Sequence, residues 1–131
     1  MNRIILAAVA LLAATSAFAF EIAAGGGDIN FNSTTAQLLV AAQSSRIIVT
    51  HYHLISAGTA NVSFEYGTQT TNPCDTGTVV IDGPMSLTAQ TGAAPTNEAG
   101  VMPSVPAGKQ LCIVSSAAVQ IGGAFVYSSS L

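Results

Sequence analysis

From Phe20 to Leu131 the chain offers no stretch of ten or more residues that combines helical apolar spacing with capping residues. That constrains the fold more than any other feature. The Ala-rich pieces are short and interrupted by Gly. What remains is a series of strand-length apolar or alternating runs, at residues 28–32, 36–41, 46–56, 60–66, 78–82, 85–89, 110–115 and 119–127. Turn chemistry separates them: Gly58-Thr59, Asn72-Pro73, Gly83-Pro84, the segment from Gly92 to Gly100, and Pro106-Ala107-Gly108. The pattern predicts an all-β chain, a single antiparallel β-sandwich of jelly-roll-like form with about 8 strands.

The 131 residues suit one domain. Residues 1–19 form a hydrophobic leader-like segment, residues 20–27 a Gly-rich joint around Gly25-Gly26-Gly27, and residues 28–131 the sandwich. In the first segment Arg3 supplies a positive start, Ile4 to Ala14 an apolar run, and Ala17-Phe18-Ala19 a small-x-small cleavage pattern. The run is too short to cross a bilayer, which takes about 20 residues. Two readings follow: a secretory signal peptide cut after Ala19, or an uncleaved apolar arm docked on a partner.

Charged residues make up 7% of the chain, against roughly 25% in ordinary globular domains. Apolar residues make up 50%, which excludes disorder. Beyond the leader only Arg46 and Lys109 are basic, so no basic stripe exists and nucleic acid is a poor partner. Low charge also means weak self-repulsion, so such a surface tolerates packing against copies of itself.

Cys74 and Cys112 are the two cysteines, both beside expected strands. In an oxidising compartment they form one disulfide, whose chain-entropy value is roughly 4 kcal/mol; the alternative is two buried thiols. Neither belongs to a CxxC pair, so no metal site is expected.

Gly58-Thr59 suits a two-residue hairpin turn with Gly first. That register pairs Ile55 with Val62, His53 with Phe64 and His51 with Tyr66 on the core face, continuing Ile47 and Val49. His51 and His53 then pack on aromatic rings rather than hold a metal, because no third ligand is in reach. The last run alternates: Val119, Ile121, Gly123, Phe125 and Tyr127 share a face, and Gly122-Gly123 marks a bulge or a close approach of another backbone. Asp75 and Asp82 flank a Gly-containing loop and read as turn formers, with weak Ca²⁺ binding as the alternative. No catalytic fingerprint is present, carboxylates are scattered singly, and the expectation is a non-enzymatic protein without cofactor.

Several motifs together carry a resemblance: Tyr66-Gly67-Thr68, Cys74 with Thr76-Gly77-Thr78, Gly83-Pro84-Met85-Ser86-Leu87, Pro106 through Cys112, and Ala118 through Gly123 to Tyr127. Over residues 36–127 the chain resembles small phage- and prophage-encoded β-sandwich proteins of virion-associated type, often with a signal-like leader. The resemblance implies a head decoration or cement protein: a homo-oligomer, a trimer by expectation, bound to a capsid or other virion protein. The competing expectation, which the leader and cysteines favour, is an exported periplasmic or cell-surface disulfide-linked binding or fibre module.

Overall fold

The computed structural model describes residues 23–90, 92–93 and 104–130. The leader-like segment therefore lies outside the described residues, as does most of the Gly92–Gly100 break. Nine strands occur among the described residues: β1 (Ala23–Phe31), β2 (Gln37–Val40), β3 (Arg46–Ser56), β4 (Ala60–Thr68), β5 (Thr76–Leu87), β6 (Gly92–Ala93), β7 (Ser104–Val105), β8 (Gln110–Ser115) and β9 (Ile121–Ser130). They form two antiparallel sheets. One has the order β1-β9-β3-β6, with β7 also on β3, and the other has the order β2-β8-β4-β5.

Most connections cross from one sheet to the other: β1 to β2, β2 to β3, β3 to β4, β5 to β6, β7 to β8 and β8 to β9. This is the order of a jelly roll, two interlocked Greek keys, with the strand opposite β3 split into β6 and β7. The fold is the all-β sandwich that the turn spacing implies.

Two expectations change. The described part of the joint, residues 23–27, is strand: Gly25, Gly26 and Gly27 pair with Tyr127, Val126 and Phe125 of β9. A Cβ at Gly25 would sit 2.6 Å from the Tyr127 ring, and one at Gly27 would sit 3.2 Å from the Phe125 ring. The two rings, with centroids 6.1 Å apart and stacked, cover the glycines of this edge strand from the inner side.

The hairpin across Gly58-Thr59 does not form. β3 and β4 belong to different sheets, and Gly58 lies in a corner between them. Ser56 and Ser115 end β3 and β8 with the same device: each hydroxyl donates to the carbonyl two residues on, of Gly58 (2.6 Å) and Ala117 (2.7 Å), and accepts that residue's N–H. Both serines are buried, so these bonds satisfy hydroxyls that would otherwise be costly.

A second effect reverses the faces of β3. Its pairing with β9 slips between Val49 and His51, leaving Thr50 without an opposite number. Ile47 and Val49 point into the core; beyond the bulge the inward positions are Tyr52, Leu54 and Ser56. A one-residue slip exchanges the two faces of a strand. His51, His53 and Ile55 therefore point outward, Ile55 at 55% exposure. Val62 and Phe64 of β4 are buried as expected, while Tyr66 is half-buried against the core. Opposite them stand Ile113 and Leu111 of β8, with Ile29, Phe31, Ile121 and Phe125 from the other sheet. Burying such side chains is worth about 1.5–3 kcal/mol each.

Candidate functional site

The densest set of specific contacts lies where β4 turns into β5. Thr68 and Thr76 end the ladder, and residues 69–75 form the loop. Asp75 organises it: its carboxylate accepts the N–H groups of Thr70, Thr71 and Asn72 at 2.7, 2.8 and 2.9 Å, plus the Thr70 hydroxyl at 2.8 Å. These donors hold the Asp75 carboxyl far below the usual carboxylate range, Asn72 and Thr71 contributing most. The oxygens are occupied by the loop itself, so Asp75 acts as a turn former.

That loop carries Cys74, which is bonded to Cys112 of β8 with Cα atoms 6.4 Å apart. Both cysteines are fully buried. Cys74 has a left-handed backbone (φ 55°), its N–H donates to Gln110 Oε1, and its carbonyl accepts the Thr78 hydroxyl. The loop passes so close to β4 that a Cβ at Gly67 would lie 2.8 Å from the Cys74 carbonyl oxygen. Lys109 Nζ donates to the Thr68 hydroxyl at 2.8 Å, and Gln110 Nε2 to Gln69 Oε1 at 3.1 Å. The disulfide is woven into one end of its sheet.

Across the outer face of the same sheet the register aligns Leu38, Cys112, Glu65 and Val80. Leu38 and Val80 are bare aliphatics, at 42% and 52% exposure. Glu65 is buried between Cys112 and Val80, and burial raises its carboxyl above the ordinary range. Asp82, the other loop-flanking acid, accepts the Tyr52 hydroxyl at 2.6 Å. Tyr52 starts in the opposite sheet, passes the Phe64 ring at 4.4 Å and ties the two sheets together. Burial, then the Asp82 hydrogen bond and charge, push the tyrosine hydroxyl far above its usual range.

The other outer face holds the histidines. His53, Ile55, Ser56, Ala57, Gln90, Gln120, Gly122 and Gly123 line an open groove of about 590 Å³. Its lining includes the glycine pair of β9 and the amide side chains of Gln90 and Gln120. Among the described residues no group of three or more His, Cys, Asp and Glu side chains comes together. Ser56 and Ser115 bond backbone, while the hydroxyls that do meet carboxylates, Thr70 on Asp75 and Tyr52 on Asp82, belong to the loop and to the inter-sheet tie. Sequence reasoning missed the inter-sheet tie and both serine corners. Ser56 two residues before Gly58 was a legible signal at the first corner; Ser115 before Ala117 offered none, and the partner of Tyr52 was hidden because 30 residues separate them.

No protein-family model matches the chain. No curated protein matches it either. Among solved structures it is similar to one described as a Bacillus endospore appendage of a novel family of disulfide-linked pili. That likeness has 16% identity and a TM-score of 0.45, covering 84% of this chain and 88% of that one. At that score it carries no inference about assembly or function. Among the described residues no helix is long and apolar enough to cross a membrane.

Proposed function

We propose that this chain is an exported, non-catalytic structural module: a disulfide-secured jelly roll that assembles with copies of itself outside the reducing cytoplasm. The observation that carries it is the buried Cys74–Cys112 bond. A disulfide held on one side by a loop that Asp75 folds, and admitted on the other by the bare Gly67, is part of the architecture. Disulfides of this kind persist in oxidising compartments. The leader pattern at residues 1–19 agrees with that compartment, and the sparsely charged surface agrees with packing against copies.

A second reading is favoured by the strand order, since capsid proteins also use jelly rolls. It is a virion-associated decoration or cement protein assembled in the cytoplasm, with residues 1–19 retained as a docking arm. Fold alone does not decide between them. Fractionating the producing cells and alkylating the fractions in denaturant without reductant does. Export predicts protein outside the cytoplasm with both cysteines protected from alkylation. Recovery from the cytoplasm with Cys74 and Cys112 alkylated overturns it.

A further inference from the structure

We propose that His51 and His53 together bind a divalent transition-metal ion, Cu²⁺ most tightly, on the outer face of β3. Such a site is independent of the export and assembly proposed above.

Residues at i and i+2 of a strand project from one face, about 7 Å apart along it. That spacing serves chelation where the strand is regular across the pair and both side chains reach solvent. Both conditions hold. The slip in β3 ends at His51, and from there His51, Tyr52 and His53 pair in unbroken register with Val126, Phe125 and Ala124. Tyr52 is buried, so the histidines on either side of it point outward, and both are exposed. Imidazoles packed on core rings could not reach an ion. The bulge at Thr50, which turned the histidines to the surface, makes them available.

The surroundings favour a cation. Beside His53 the register sets Ala124 and, one strand further, Asp28, all three on the outer face. Ala124 is too short to stand between them, and two strand spacings put Asp28 about 10 Å away, backbone to backbone. Its carboxylate adds a modest attraction for a positive ion without ligating it. The one basic residue of β3, Arg46, lies at the start of the strand. On the side of β3 away from β9, β7 pairs with Ile47 and Ile48 and β6 with Leu54 and Ile55. Among the described residues no strand runs beside His51 and His53 there.

The donor set selects the ion. Imidazole nitrogen suits Cu²⁺, Ni²⁺ and Zn²⁺, and affinity at such donors peaks at Cu²⁺. Ca²⁺ and Mg²⁺ take oxygen donors and are not selected. No other strong nitrogen or sulfur side chain competes: these are the two histidines of the chain, and both cysteines are held in the disulfide. Two protein donors leave the remaining positions of the ion to water, so the site is an open one. Once one imidazole is bound, the second binds intramolecularly, and the pair holds the ion far more tightly than either alone.

The test is calorimetric titration of the full-length, disulfide-bonded protein with Cu²⁺, for the wild type, His51→Gln and His53→Gln. Nitrogen hyperfine structure in the electron paramagnetic resonance spectrum counts the imidazoles bound. Both side chains are exposed, so the variants keep the core, and β circular dichroism verifies it. The expected result is one Cu²⁺ per chain held by two nitrogens, with either substitution weakening it roughly 10²-fold or more. Zn²⁺ is expected to bind more weakly and Ca²⁺ not at all. A wild type that binds no Cu²⁺ overturns the proposal. So does an affinity that neither substitution lowers, or that only one of them lowers.

Discussion

Gly122 and Gly123 are neighbours in β9 with opposite structural demands. At Gly123 the backbone has φ of 153°, and a Cβ would fall 2.0 Å from the His53 carbonyl oxygen. At Gly122 a Cβ would meet only the Ile29 carbonyl oxygen, at 3.9 Å. Gly123→Ala therefore costs more than about 2 kcal/mol, since backbone must move. Gly122→Ala is neutral or stabilises by about 0.5 kcal/mol through the unfolded chain. Urea unfolding of the two variants checks the contrast, and equal midpoints would refute the packing described here. Glu65 gives a pH-dependent counterpart. Burial raises its folded pKa above the unfolded value, so folding favours the protonated acid. That contribution is present below about pH 4 and is lost as pH rises through the folded pKa. Glu65→Gln is thus expected to be more stable than the wild type at pH 7, with the difference closing near pH 4. Thermal unfolding at the two pH values measures it.

Among the elements, the disulfide loop dominates. Cys74 and Cys112 are 38 residues apart. Replacing both by Ser is expected to cost about 4 kcal/mol by the chain-entropy relation. A denaturation midpoint unchanged by the double substitution would remove the bond from any structural role. The strands themselves were largely legible from residue order. Arg46–Ser56 and Gln110–Ser115 have the bounds that β-branched runs between turns imply, and the runs at 78–82 and 85–89 merge into β5. What was not legible was which strands pair. Gly58 sits at a corner, and corners and hairpins use the same turn residues; long-range contacts decide between them. The Val49–His51 slip was equally hidden, because a bulge depends on the strand opposite and not on local composition. Those two events moved His51, His53 and Ile55 from the expected core face to the outer surface, and brought Tyr52 and Leu54 inside.

At the scale of the molecule, a buried disulfide ties the β4–β5 loop to β8 at one end of its sheet. A bond so placed suits a module that works in an oxidising compartment. The intact mass of the protein isolated from its own source, measured without reductant, tests this most directly. The account predicts a chain that begins at Phe20 and is lighter than the dithiol form by two hydrogens. A chain retaining residues 1–19 with both thiols free would contradict it.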